Sequence, residues 1–226
     1  MMFKLTLYHG SPAIVEKPEY GKGKPYNDYG RGFYCTEELD LAREWACSEL
    51  TDGFVNQYEI NPADLRILNL FNGNYTILHW LAILVNNRRI RISTPLMRRA
   101  VEWLTANFLL DVGDYDAIVG YRADDSYFSF ARAFVNNELS LRQLNYAMKL
   151  GGLGEQFVLK SQKAFSMIHF VSCEAVARNI YFPLRKQRDD NARAAFRKEL
   201  EQEDLDGLFI RDIIREGIQP NDPRLQ

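Results

Sequence analysis

The sequence predicts a mixed α+β fold, and three observations lead there. Short alternating or apolar runs suited to strands lie towards both ends of the chain. Longer stretches with helical periodicity lie between them, and no repeat, low-complexity segment or linker divides the 226 residues. A chain of this length buries a real core, so a single domain is expected over 1–226. It carries a helical insertion at about 74–110 and a helical C-terminal extension at about 185–226.

The elements follow in order. Residues 3–8 alternate apolar and polar side chains and predict a strand that ends at His9-Gly10-Ser11. Residues 12–32, rich in Pro, Gly, Tyr and Lys, predict a loop. A helix is expected over 38–50, with Leu39, Ala42, Trp45 and Ala46 on one face. Strands over 54–60 and 65–70 flank the break at Asn61-Pro62. Helices follow over 75–86 and 95–109, the second with Thr94 as cap and Pro95 at its first position. Residues 115–120 predict a buried strand, and helices are expected over 127–136 and 141–150, the latter capped by Ser140. Strands over 156–160 and 167–172 are separated by a short helical turn. The charged stretch 189–202 predicts a solvated helix, and 208–214 a last apolar helix. Pro220 and Pro223 should keep the tail, 219–225, extended on the surface.

Composition removes several functions. A formal net charge of -2 argues against a generally basic nucleic-acid binder. Arg88, Arg89, Arg91, Arg98 and Arg99 still form a local basic patch, suited to phosphates or to a solvated surface. Cys35, Cys47 and Cys173 are odd in number and lack metal-ligand spacing, as expected of reduced thiols. The start, Met-Met-Phe-Lys, lacks a secretory apolar region, and the run 77–85 is too short to span a bilayer. A cytosolic protein with no membrane association is therefore expected. His9, His79 and His169 show no i, i+4 pair, so no metal site is expected. Neither a P-loop nor a Gly-x-Ser-x-Gly elbow occurs.

What remains is His9-Gly10-Ser11 after a strand, then Tyr29-Gly30-Arg31-Gly32-Phe33-Tyr34, then a helix carrying Trp45. Singly, these suit a turn, a hairpin bend and a core aromatic. Together, Leu7-Tyr8-His9-Gly10-Ser11 and Gly30-Arg31-Gly32-Phe33-Tyr34-Cys35-Thr36 resemble two signatures of ADP-ribosyltransferases of the poly(ADP-ribose) polymerase and diphtheria-toxin class. The chain also resembles a poorly characterised bacterial family of that superfamily. The likeness lies in Asp28 to Tyr34, Ala123-Asp124-Asp125, Gln156-Phe157-Val158-Leu159 and Lys163-Ala164, and in the endings around Ile210 to Ile214 and Asp222 to Leu225.

The resemblance implies a split β-sandwich of two antiparallel sheets around an NAD cleft, and transfer of ADP-ribose from NAD. It implies that His9 binds a ribose hydroxyl and that the backbone of Gly10, beside Ser11, holds the nicotinamide carboxamide. Tyr34 would stack on the nicotinamide ring with Trp45 opposite, and Arg31 or the Lys22 and Lys24 loop would neutralise pyrophosphate. Relatives carry a catalytic Glu on a later strand, which here reads Glu155-Gln156. Strand parity lets only one face the cleft, and the family pattern turns Gln156 inward. Asp124 and Asp125 suit either a helix cap or a cleft carboxylate. The expected function is mono-ADP-ribosylation of a protein or nucleic acid, in the manner of an intracellular toxin with an antitoxin partner. The alternatives are an NAD glycohydrolase and an inactive NAD- or ADP-ribose-binding module.

Overall fold

The computed structural model describes residues 4–123, 125–150 and 154–226. The strands are β1 (Leu5–Ser11), β2 (Phe33–Cys35), β3 (Gly53–Ile60), β4 (Ile67–Asn69), β5 (Ala117–Tyr121), β6 (Glu155–Leu159) and β7 (His169–Val176). The helices are α1 (Leu39–Ala46), α2 (Ile77–Asn87), α3 (Pro95–Phe108) and α4 (Asp125–Val135). α5 (Leu141–Ala147), α6 (Gln162–Met167), α7 (Arg178–Leu200) and α8 (Ile210–Glu216) complete them. The chain is thus mixed α+β with two sheets.

One sheet has the order β1-β3-β7 and is antiparallel throughout. The other has the order β2-β6-β5-β4, and its β4 runs parallel to β5, unlike the antiparallel sheet expected. The helical insertion explains this. Parallel neighbours need a long crossover, and α2 with α3 supplies it between β4 and β5.

The sheets face each other across Leu7, Tyr58, Ile60, Val119, Phe157 and Leu159. Behind the first sheet, Ala42 and Ala46 of α1 pack on Val55 and Val176. Behind the second, Leu68, Ile118 and Val158 meet the largest core, built on Trp80, Leu81, Phe130 and Phe134. Local signals set the helix starts: Thr94 Oγ1 accepts from Met97 N–H, and Ser140 forms a capping box with Gln143.

Two C-terminal expectations are corrected. α7 begins at Arg178, with Pro183 inside it, and is not merely solvated: Ala192 and Phe196 are buried. The Phe196 ring lies 4.0 Å from that of Phe130. The tail makes a 3-10 turn over Pro223–Leu225, and Leu225 is 1% exposed within the largest core. Among the described residues no helix is long and apolar enough to cross a membrane.

Candidate functional site

The site begins where β1 and β2 part. Tyr8 and Thr36 exchange backbone hydrogen bonds of 2.8 and 2.9 Å, forming an isolated bridge. Two residues further on, Gly10 comes opposite Tyr34, and a cleft opens there. Backbone groups alternate sides along a strand, so Gly10, like Tyr8, turns its N–H and C=O away from β3. β1 runs through Ser11, beyond the 3–8 expected, which makes this alternation possible.

The reason for a glycine differs from the one expected. A Cβ on Gly10 would lie 2.1 Å from Ala42 O and 2.7 Å from Ala46 N. The missing side chain therefore accommodates the α1 backbone, not a ligand.

His9 points between the sheets, with its ring centroid 4.4 Å from that of Phe33. Its Nδ1 lies 2.7 Å from the carbonyl of Tyr34, and a carbonyl only accepts, so Nδ1 carries the proton. Burial lowers the His9 pKa below the usual value. The neutral ring leaves Nε2 as an acceptor. The Tyr34 hydroxyl donates to Gly30 O at 2.6 Å and accepts from Tyr29 N–H at 3.0 Å. That hydroxyl holds the loop, which leaves the ring to line the cleft. Ser11 also lines it, but its hydroxyl donates to Ala13 O and accepts from the Asn56 amide, tying down its own loop.

The opposite wall comes from β6 and the loop before β2. Register pairs Tyr34 with Val158, so Tyr34, Gln156 and Val158 share one face of the sheet. Gln156 is 5% exposed and lines the cleft. Glu155 falls on the other face, exposed, with its pKa raised by partial burial and by nearby Glu38. A catalytic role for Glu155 in this cleft is thereby corrected, because the regular strand turns it away.

Asp28, not singled out from the sequence as a site residue, is the buried carboxylate of this wall. Its Oδ2 accepts from Ala123 N–H at 2.8 Å and lies 3.5 Å from Gln156 Nε2. Its Oδ1 pairs with Arg88 Nε at 2.9 Å. Burial pushes the Asp28 pKa up, and Arg88 with the Ala123 N–H pulls it partly back. Neighbouring Tyr29 fixes the position by donating its hydroxyl to Tyr121 O at 2.8 Å. It passes so close over β5 that a Cβ on Gly120 would lie 2.2 Å from its oxygen. Lys160 clamps the same loop by donating to Tyr29 O and Arg31 O.

The cleft has a volume of about 1060 Å³. Its walls carry Lys17, Lys22, Lys24, Arg88, Arg122 and Arg185 against Glu16, Glu19 and Asp28, which suits an anionic ligand. Arg31 is not among the lining residues. It is exposed and donates to Gly21 O at 3.0 Å, whereas Arg88 and Arg122 do line the cleft. Trp45 does line the cleft, with the Arg122 guanidinium 4.2 Å from its ring. Asp124 lies outside the described residues, and Asp125 heads α4. The basic patch is divided: Arg88 turns to Asp28, while Arg89 covers the Tyr26 ring at 4.1 Å.

Among the described residues, three buried side-chain polar atoms lack a hydrogen-bond partner: Asp28 Oδ1, Trp45 Nε1 and Gln156 Oε1. The Arg88 contact to the first is an ion pair without hydrogen-bond geometry. All three residues line this one cleft. Buried polar groups are nearly always satisfied, so their concentration in one cleft makes it the candidate ligand site.

A family model described as "Protein of unknown function (DUF3990)" matches residues 5–170. The chain belongs to this family. No curated protein and no solved structure matches it. The matched span holds His9, Asp28, Tyr34, Trp45, Arg88, Arg122 and Gln156, whereas Arg185 of α7 lies beyond it.

Proposed function

We propose that the cleft binds NAD and that the chain transfers single ADP-ribose units from it to a macromolecular acceptor. One observation carries this reading: His9 and Tyr34 meet across the point where β1 and β2 part. Two sheets separated there, with Gly10 beside Tyr34, suit the split arrangement of the ADP-ribosyltransferases that the motifs resemble.

Each residue then has a task. His9 Nε2, an acceptor, takes a ribose hydroxyl. The outward-turned N–H and C=O of Gly10 match a carboxamide, which has one donor and one acceptor end. The Tyr34 ring, its hydroxyl held by the loop, offers a flat face to nicotinamide, and Trp45 stands at the cleft with Arg122. Arg88, Arg122 and the loop lysines oppose pyrophosphate charge. In the reaction the ribose–nicotinamide bond breaks, nicotinamide leaves with the electron pair, and an acceptor nucleophile bonds the ribose carbon and releases its proton. Positive charge develops on the ribose, so negative potential near Gln156 favours the step.

Lysate incubated with radiolabelled NAD and the protein tests this. Label is expected in a macromolecular fraction, at least about tenfold less with Tyr34→Ala. Nuclease and protease treatment identifies the acceptor class. Free ADP-ribose without labelled macromolecule makes the protein a glycohydrolase, and unchanged NAD that nevertheless binds makes it a binding module.

A further inference from the structure

The amide of Gln156 lies against a buried carboxylate, and this decides which end of it a ligand meets. Only Nε2 donates hydrogen bonds, and it is Nε2 that lies 3.5 Å from Asp28 Oδ2. The reverse orientation would set a carbonyl dipole against a carboxylate, with both residues only 5% exposed, where such repulsion is strong. The oxygen of Gln156 is buried and has no hydrogen-bond partner among the described residues. Asp28 has the backbone N–H of Ala123 and Arg88 to hold it in place. Glu16 and Glu19, the other acidic residues at the cleft, are exposed on the loop.

We propose that Asp28 is a positioning residue: it fixes the Gln156 amide with its nitrogen inward and its oxygen left for a ligand hydroxyl, and it sets a buried negative charge behind that oxygen. The site thereby selects a ligand that presents a hydroxyl donor next to positive charge. Identifying that ligand with the ribose of NAD rests on the function proposed above; the amide orientation does not. A glutamine supplies no charge of its own, so the pair Asp28–Gln156 divides between two side chains what one carboxylate would do alone.

Two readouts keep these claims apart. The first needs no ligand. The side-chain amide signals of Gln156, assigned by their loss in Gln156→Glu, are followed by NMR from pH 7 to pH 4. They are expected to shift with protonation of Asp28 in the wild type and to stay fixed in Asp28→Asn. Signals that move equally in both proteins overturn the proposal. The second is NAD cleavage in single turnover. Asp28→Asn is expected to slow it about tenfold or more while NAD affinity changes less than about threefold. Gln156→Glu alone places two carboxylates together, which cannot both ionise, and is expected to be slow as well. Asp28→Asn combined with Gln156→Glu restores one carboxylate and one amide, now with the charge on the ligand side. It is expected to return to within about tenfold of wild type. A combined variant no faster than Asp28→Asn overturns the proposal. If wild-type protein leaves NAD intact, the transferase reading fails, while the amide titration still decides the role of Asp28.

Discussion

Asp28 and His9 line one cleft yet respond to acid in opposite directions. Burial raises the Asp28 pKa above the ordinary 3.8, so the folded chain holds that proton more tightly than the unfolded chain. The stability it contributes is complete below the unfolded value and is lost as pH rises through the folded one. Asp28→Asn, a neutral mimic, is therefore expected to lose ground against the wild type as pH falls from 7 towards 4, measured by urea midpoints. A variant that gains ground on acidification contradicts the burial argument. For His9 the sign reverses: its pKa is lowered from 6.5, so its contribution is present above 6.5 and lost as pH falls through the folded value. Between pH 7.5 and pH 5.5 the wild type should lose more stability than His9→Gln. Asp28 also shows where sequence reading stops at this scale. It stood in the Asp28 to Tyr34 run that carries the resemblance, but its burial depends on Tyr29 lying over Gly120, 91 positions further along. The parity of β6, by contrast, was local and left only Gln156 or Glu155 for the cleft.

At the scale of elements, α1 and α7 decide how the cleft is framed. α1 lies so close on β1 that Gly10→Ala must displace backbone rather than a flexible side chain. That substitution is expected to destabilise by roughly 1–3 kcal/mol or more in urea denaturation, before any effect on ligand. An unchanged midpoint would falsify the packing role. α7 ties the two sides of the molecule together. Arg188 near its middle pairs with the buried Glu44 of α1 at 2.7 Å, and Phe196 in its second half enters the core of α4. Phe196→Ala is expected to lose about 3–5 kcal/mol, against less than about 0.5 kcal/mol for exposed Lys198→Ala. Charge density hid this stripe in the sequence, because two apolar positions in a highly charged helix give little periodic signal. Pro183 hid the first turns, since proline reads as a helix stop although α7 continues through it.

Over the whole molecule, the α+β class and most strand and helix positions were legible in the sequence, because they rest on short-range periodicity and on caps such as Thr94 and Ser140, whereas the two sheets were implied only by the family resemblance. The tail was not: Leu225 is buried against helices distant in sequence, and two prolines nearby suggested an exposed extension. Leu225→Ala is expected to cost about 2–5 kcal/mol in urea denaturation, which a surface tail would not show. The same division holds for the site. By itself the sequence determined the fold class, the His9 and Tyr34 motifs and that only one of Glu155 and Gln156 can face the cleft, since each depends on residues within one or two turns or strand steps; the register of β6 against β2 turned Gln156 inward. The tertiary structure alone decided that β4 runs parallel to β5 and that Arg31 stays outside the cleft. It also brought Asp28, Arg88 and Arg122 to the cleft wall. These are contacts between segments far apart in the chain, fixed by packing and by the need to pair buried charge, and no local pattern encodes them.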